Sequence, residues 1–197
     1  MKKLFTLFLA LAMALSITAC GKTDTPDNTG DTAGDTTKQV SYRVGVCQLA
    51  QHPALDAATQ GFVDALKEEL GDDVEINVQN ASGESNNCPT IINGFLSADV
   101  DLIMANATPA LTAAASATSE VPILGTAVTA YGVALDLDDF DGTVGGNISG
   151  TSDLADLSKQ ADMLVEWFPE AKNVGLLFCS AEPNSRYQVD EVSKALT

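Results

Sequence analysis

Polar side chains, most of them uncharged, follow every apolar run of this sequence that is predicted to be a strand. Two of them, Thr108 and Asn184, stand where helix N-caps are expected. The start of a helix offers free backbone N–H groups and a partial positive charge, which together suit a carboxylate. Each of these side chains has an alternative role as an ordinary cap or turn residue. The full set is Gln48, Gln51, His52, Asn80, Ser82, Glu84, Ser85, Asn86, Asn106, Thr108, Thr126, Thr129, Ser180, Glu182, Asn184 and Ser185.

The same sequence offers little for catalysis. His52 is the one histidine, and no G-x-S-x-G pattern supplies an exposed nucleophile. The acidic run at 138–141 lacks the spacing and the terminal glutamate of a calcium loop, and the glycines at 142–146 lack the lysine of a phosphate-binding loop. We therefore predict a protein that is not an enzyme, with no metal and no cofactor. An extracellular α/β enzyme that reuses the same fold is the alternative.

A few rings are candidates for recognising an aromatic ligand. His52 precedes a predicted helix, where its ring could stack on such a ligand, donate a hydrogen bond to it, or serve as a plain turn residue. Tyr131, Phe178 and Tyr187 are candidate stacking partners, although aromatic side chains are more often part of a core. Trp167 is predicted to pack in the core, because it shares the inward face of its helix with apolar neighbours.

The elements that position these residues alternate between strand and helix. Apolar periodicity predicts strands at 44–49, 74–78, 102–105, 121–125 and 174–178, and helices at 53–70, 87–98, 109–117, 154–167 and 184–196. The stretch between the fourth strand and the fourth helix, rich in Gly and Asp, is predicted to be irregular. Such alternation predicts a doubly wound α/β fold with a parallel sheet, whose ligands bind beyond the carboxyl ends of the strands.

Composition limits the class of partner. The chain has 197 residues, of which 45% are hydrophobic, and 10 Lys+Arg stand against 27 Asp+Glu, giving a formal net charge of −17. The hydrophobic fraction predicts a globular body rather than a disordered chain. So acidic a surface repels phosphate backbones, which are bound through Lys and Arg. We therefore predict no nucleic-acid partner.

The N-terminal segment is predicted to be an export signal followed by a spacer. Residues 1–20 have the plan of a signal peptide, with two lysines before an apolar run that ends at Ile17 and is too short to span a bilayer. Residues 17–21 resemble the lipobox of bacterial lipoproteins, which implies lipidation of Cys20; an ordinary secretory signal is the alternative. Residues 21–39 contain no large apolar side chain and are predicted to be a flexible tether.

The remaining cysteines add little chemistry. Cys47, Cys88 and Cys179 are an odd number without C-x-x-C spacing, so neither a disulfide framework nor a zinc site is indicated. At least one thiol should be free. Cys47 and Cys179 are predicted to be small hydrophobes inside apolar strands.

Several segments occur in the order and spacing of a known family. They are Val44–Leu49, His52–Ala57, Gln79–Gly83, Ala107–Ala110, Thr126–Thr129, Gly145–Asn147, Gly150–Asp153 and Glu182–Ser185. Across 44–196 the chain thereby resembles the ABC-transporter substrate-binding lipoproteins of the tryptophan/tyrosine-binding type. The resemblance implies a periplasmic-binding-protein-like fold of type I, in which two lobes close on a small ligand. It also implies members that recognise aromatic amino acids.

The resemblance further implies domain boundaries, partners and a cleft. An N-terminal α/β lobe would cover 40–150, and 151–197 would hold the crossover and an incomplete second lobe, because proteins of this family are longer than this chain. The ligand, an amino acid, would pass to an ABC permease served by a cytoplasmic ATPase. The protein would be lipid-anchored at the outer face of the cytoplasmic membrane; a ligand-sensing subunit of a membrane receptor is the alternative. By position, the cleft would be lined by Gln48, His52, Asn80, Asn86, Thr108, Thr126, Thr129, Asp153, Asn184 and Ser185.

Overall fold

A computed structural model describes residues 40–197. The predicted signal peptide at 1–20, the lipidation of Cys20 and the tether at 21–39 lie outside the described residues. Strands and helices alternate from Tyr42 onward. In chain order they are β1 (Tyr42–Gln48), α1 (Pro53–Leu70), β2 (Val74–Asn80), α2 (Cys88–Ser97), β3 (Leu102–Asn106), α3 (Thr108–Ala117), β4 (Ile123–Val128), α4 (Tyr131–Ala134), β5 (Ile148–Ser152), α5 (Leu157–Trp167) and α6 (Pro183–Leu196).

The five strands form one parallel sheet in the order β2-β1-β3-β4-β5. Strand β1 lies inside the sheet, and the chain winds outward from it in both directions. Because every strand is parallel to its neighbour, all carboxyl ends lie at one edge of the sheet. This arrangement is the predicted doubly wound α/β class.

Residues typical of helix ends mark both the start and the end of α1. Pro53 occupies its first turn, where the missing N–H has no intrahelical partner to lose. His52 is the N-cap, and its Nδ1 accepts a hydrogen bond from the Ala54 N–H at 3.2 Å. Gly71 ends the helix with a φ of 59°, a conformation that favours glycine. These signals agree with the predicted helix at 53–70.

The sheet buries one face under α1. Val44, Val46 and Met104 form a buried cluster there, and Phe62 and Leu66 of the helix pack against it. Residues at alternate positions of a strand share a face, so the end of β1 presents its last side chain toward the same helix.

Helices α2 and α3 cover the opposite face. The largest fully buried side chains of this layer are Ile92, Phe95, Ile103, Leu111 and Ile123. Phe95 lies so close to β1 that a Cβ added at Gly45 would come within 2.5 Å of its ring. Gly45 is therefore required by packing rather than by a turn.

Two of the three cysteines at 40–197 are part of this core. Cys47 and Cys88 are fully buried, whereas Cys179 is exposed. A hydrogen bond with Cys88 and burial raise the pKa of the Cys47 thiol. The prediction for Cys179 is wrong, because the segment around it forms no strand and does not cover it.

The last third of the chain departs from the sequence-based prediction. Helices α5 and α6 pack together, but 174–178 pairs with no strand of the described residues. A strand needs a neighbour to satisfy its backbone groups, and apolar residues in sequence do not supply one. Leu177 is fully exposed, and Trp167, predicted to lie in the core, is 66% exposed because no sheet covers that face of α5 within the described residues.

The stretch predicted to be irregular contains α4 and β5. Strand β5 was missed because its sequence, ISGTS, holds one large apolar residue and a glycine. Strand β4 ends at Val128, three residues beyond its predicted end. None of the helices at 40–197 combines the length and the apolar character needed to cross a membrane. The division at residue 150 stays a prediction.

Candidate functional site

Polar residues at the ends of four strands form a row across the carboxyl edge of the sheet. Gln48 of β1 lies opposite Asn80 of β2 and Asn106 of β3, and Asn106 lies opposite Thr126 of β4. Backbone hydrogen bonds continue beyond the strands, from Leu49 N to the Asn106 carbonyl at 3.1 Å and from Ala107 N to the Thr126 carbonyl at 3.0 Å. The turns that follow the strands are therefore held close together.

A buried hydrogen-bonded network lies beneath this row and anchors α1. Gln48 Nε2 donates to Asp56 Oδ1 at 2.6 Å and to the Ala50 carbonyl at 2.7 Å, while its Oε1 accepts from Thr59 Oγ1 at 2.6 Å. Asn106 Nδ2 donates to Thr59 Oγ1 at 2.9 Å and to the carbonyl of Leu55 at 2.8 Å. Gln48 is only 4% exposed and Asn106 is fully buried. Contact between Gln48 and a ligand would cost these three hydrogen bonds.

Asn106 leaves one polar atom without a partner. Its Oδ1 is buried, and no donor within 40–197 reaches it. A buried unpaired acceptor costs free energy unless a donor such as a water molecule satisfies it. The sequence placed Asn106 at the edge but gave no sign of this network, because Thr59 is 47 residues away along the chain.

His52 stands exposed at the start of α1. Because its Nδ1 accepts the Ala54 N–H, the neutral ring carries its proton on Nε2. The imidazole is thereby an N-cap and a hydrogen-bond donor at once. Both readings of His52, the turn residue and the ligand contact, are compatible with this geometry.

The turn after β2 contains the next predicted residues. Asn80 Oδ1 accepts a hydrogen bond from Ser82 N at 2.8 Å, which closes an Asx turn with Ser82 at a φ of 59°. Asn86 is exposed in a short 3-10 turn over Ser85–Asn87. The Asn80 side chain therefore stabilises this turn, whereas the described contacts show no structural role for the Asn86 side chain.

Helix α3 begins at a strained position. Its N-cap is Ala107, at φ 91° and ψ 157°, a region that only glycine adopts readily. Thr108 is the first helical residue and is 2% exposed, so the prediction that it is the N-cap is wrong. Ala107 has no side-chain acceptor, and the first turn of α3 is left without a side-chain cap. Strain and a missing cap together are typical of a place where a ligand approaches the backbone.

The ends of β4 and β5 bring three more predicted residues together. Thr126 Oγ1 lies 3.4 Å from Thr151 Oγ1. Thr129 is 8% exposed, and its carbonyl accepts from Ser152 Oγ at 2.9 Å. Asp153 is exposed, and its N–H donates to the Val128 carbonyl at 3.1 Å. Asp153 therefore stands at the point where the chain leaves the sheet.

The last two predicted residues belong to the first turn of α6. The N-cap is Glu182, and Asn184 lies within the helix, so the N-cap prediction is again wrong. Ser185 Oγ donates to Glu182 Oε2 at 3.3 Å. The Glu182 carboxylate therefore bonds this hydroxyl and makes no capping bond to a backbone N–H of the helix. Asn184 Oδ1 is inaccessible to water, and no donor among the described residues satisfies it.

The turn before α6 lies near helices α2 and α3. Ala181 and Pro183 line a cavity of about 520 Å³ together with Ser85, Pro89 and Pro109, which lie at the starts of α2 and α3. The cavity extends from the starts of α2 and α3 along both helices to Ser116 and Ala117, and its lining does not include Thr108, Asn184 or Ser185. A larger cavity of about 850 Å³ lies elsewhere, between α4 and the edge strand β5, and of the predicted site residues it contains Thr129. We place the candidate site at the carboxyl edge, because the predicted polar residues of neighbouring strands lie opposite one another there.

The chemistry of this edge is that of reversible binding. Its side chains are amides, hydroxyls, one imidazole and the carboxylate of Asp153, and the helix starts add N–H groups. Within 40–197 no cluster of three His, Cys, Asp or Glu side chains is arranged to hold a metal ion. Such a set can hold a small polar molecule through several hydrogen bonds without changing it.

The chain is similar in sequence to known proteins. Residues 43–197 match a family model described as ABC transporter substrate binding protein. The tyrosine-binding protein of Clostridioides difficile (strain R20291) is 34% identical over 198 residues, which cover 97% of this chain and 56% of that protein. The chain thus spans about half the length of the curated relative that it matches.

Two solved structures share the fold. An ABC domain in complex with L-Trp from Streptococcus pneumonia has a TM-score of 0.72 at 32% identity, covering 79% of this chain and 53% of that one. The ligand-free, open structure of a substrate-binding protein with adhesive properties from Clostridium difficile has a TM-score of 0.59 at 38% identity, covering 78% and 52%. The described residues therefore superpose better on the Trp-bound structure, although its sequence is less similar.

Proposed function

Because the chain belongs to the family of ABC transporter substrate-binding proteins, we propose that it captures an aromatic amino acid outside the cytoplasm and delivers it to a permease. Membership of this family confirms the expectation that the chain is not an enzyme. The proposal of an aromatic ligand is supported by the tyrosine-binding relative and by the Trp complex with the same fold.

One observation on this chain carries the proposal: Pro109 in the first turn of α3 and Pro183 in the first turn of α6 line the same cavity of about 520 Å³. Thr108 and the Asn184–Ser185 pair supply N–H groups and hydroxyls that suit the carboxylate of an amino acid. Asn184 Oδ1, which is buried and unpaired in this structure, would accept a hydrogen bond from its ammonium group once the side chain turns toward the ligand.

The remaining cleft residues would complete the pocket. His52 would offer its Nε2–H, and Asn80, Asn86, Thr126, Thr129 and Asp153 would supply further polar contacts around the ligand. Gln48 would act through the loop that follows β1 rather than by contact, because its side chain is already committed to α1. The aromatic ring of the ligand would lie between the two lobes.

Delivery follows from the family and from the N-terminal sequence. We infer that the signal peptide exports the chain, that Cys20 carries the lipid, and that 21–39 holds the body off the outer face of the membrane. An ABC permease would receive the ligand from the closed protein. The cytoplasmic ATPase of that permease would supply the energy.

Ligand titration of the full-length gene product tests this function. L-tyrosine and L-tryptophan should raise its unfolding free energy, by about 2.7 kcal/mol at 100 times the dissociation constant. Thr108→Val and Asn184→Ala should each weaken binding about tenfold, which is the effect of losing a hydrogen bond to a charged group. Ser97→Ala, which removes an exposed hydroxyl at the far end of α2, is the matched control and should leave affinity unchanged. Unchanged affinity in both site variants would refute the carboxylate and ammonium positions.

A further inference from the structure

Tyr131 lines the cavity of about 850 Å³ between α4 and β5, and its hydroxyl lies against the two neighbouring strands β4 and β5. It opens α4, is 6% exposed, and its hydroxyl donates to the Thr151 carbonyl at 3.2 Å. Gly125 of β4 and Gly150 of β5 lie opposite each other in the sheet. A Cβ at either glycine would collide with this hydroxyl. The two glycines therefore create the space that the phenol occupies.

The strand that Tyr131 touches is the way out of the sheet. Strand β5 is at the edge, and residue 153 follows it directly toward α5. The register between β4 and β5 is broken between Gly125 and Val128, where Ala127 adopts a φ of 52°. The Tyr131 hydroxyl donates to the Thr151 carbonyl within this irregular stretch, where the regular backbone hydrogen bonds between β4 and β5 are interrupted.

The other bonds at this exit come from the same turn. Ser152 Oγ donates to the Thr129 carbonyl, and Asp153 N donates to the Val128 carbonyl. Burial, and to a smaller extent the charge of Asp153, raise the pKa of Tyr131 to about 12. The phenol thus keeps its proton and stays a donor over the whole physiological range.

We propose that Tyr131 is a positioning residue for ligand binding, because its hydroxyl fixes the backbone of 151–153, from which the chain passes to the second lobe. This inference rests on the proposed function, in which two lobes close on a ligand. Residues 151–153 are then the first strand of the hinge. A loosened hinge strand would populate more lobe orientations that cannot bind, and the apparent affinity falls in proportion to the competent fraction.

Hydrogen exchange of the unliganded full-length gene product tests whether the hydrogen bond from the Tyr131 hydroxyl to the Thr151 carbonyl stabilises residues 151–153. Tyr131→Phe removes only the hydroxyl, and the amides of 151–153 should exchange about tenfold faster, as loss of a hydrogen bond near the upper end of its usual strength allows. Asn147→Ala is the matched control, because Asn147 Nδ2 ties the opposite end of β5 to the Thr118 and Val121 carbonyls. This variant should leave exchange at 151–153 unchanged. Equal exchange in Tyr131→Phe and the unmodified protein would overturn the inference.

Titration with L-tyrosine and L-tryptophan tests the link to binding. Tyr131→Phe should weaken affinity about tenfold, while Asn147→Ala should lower stability and keep affinity. Affinity that stays unchanged in Tyr131→Phe despite faster exchange would reduce Tyr131 to a structural residue and overturn the inference. If the unmodified protein binds neither amino acid, the proposed ligand fails, and the exchange measurement still decides whether Tyr131 holds the exit of the sheet.

Discussion

Replacing Thr59 by valine is the sharpest test of the buried network under the carboxyl edge. The hydroxyl of Thr59 donates to Gln48 Oε1 and accepts from Asn106 Nδ2, at 2.6 Å and 2.9 Å. Valine keeps the shape of the side chain and removes both bonds. Its buried partners are left with an unsatisfied acceptor and one unsatisfied N–H, while Asn106 keeps its bond to the carbonyl of Leu55.

The expected cost follows from those two groups. A buried polar group that loses its partner costs about 1–3 kcal/mol, so the two groups left by Thr59→Val should lower the free energy of unfolding by about 2–6 kcal/mol. Typical domains are stable by about 5–15 kcal/mol, so the loss is a large fraction of the total. Because the network anchors the first turns of α1, the amides near His52 should also lose protection against exchange.

Urea unfolding of the full-length gene product, followed by circular dichroism, measures this loss. Thr59→Ser retains the hydroxyl and should cost about 1 kcal/mol, the value of one lost methyl group. Ser97→Ala removes an exposed hydroxyl bond and should change stability by less than about 0.5 kcal/mol. A Thr59→Val protein as stable as the serine variant would refute the view that the network stabilises the site.

Three further predictions concern the core and its titration. Iodoacetamide should label Cys179 in the native protein and spare the buried thiols of β1 and α2 until denaturant is added, as mass spectrometry of the peptides would show; equal labelling would contradict their burial. Gly45→Ala should cost about 1–3 kcal/mol in urea unfolding, because its methyl group meets the Phe95 ring, whereas Gly94→Ala, with open space around it in α2, should be neutral or stabilising. Since burial and then Asp153 raise the pKa of Tyr131 to about 12, the unfolded chain ionises first and stability falls as pH rises from about 10 to about 12. Tyr131→Phe should lack that part of the decline, and identical pH profiles would disprove it.

Local periodicity was enough to predict the elements from β1 to α3. Pro53 and Gly71 bound α1 at the predicted residues, and the apolar runs of β1 to β3 are strands that pair with one another or with β4. The α/β class with a parallel sheet is confirmed, and so is the resemblance to the substrate-binding family. Each of these features depends on residues that are close in sequence or on an apolar pattern.

The errors occur where structure depends on distant partners. Strand β5 is polar and contains Gly150, so its strand character comes from pairing with β4 and from the close fit of the Tyr131 hydroxyl. The run at 174–178 has the opposite character: it is apolar, but no neighbouring strand within the described residues pairs with it. Trp167 is exposed for the same reason. Pattern alone does not say whether a partner is present.

The sequence predicted which polar residues share the carboxyl edge of the sheet, but not the hydrogen bonds that they make. The rule that ligands bind at the carboxyl ends of parallel strands led to the row that the register confirms as one edge, from Asn80 to Thr126. Contact with a ligand stays a prediction for each of these residues. The sequence did not reveal that Gln48 and Asn106 clamp α1, because the clamp requires Thr59 to face them across the fold.

The strand order β2-β1-β3-β4-β5 also has a consequence for how the chain is made. Every neighbouring pair in the sheet is separated by at most two helices along the chain, and all pairings are complete by Ser152. Contacts of short sequence separation form quickly, and synthesis adds about 5–20 residues per second. The sheet can therefore grow strand by strand from the β1–β2 pair toward β5, before α5 and α6 have been made.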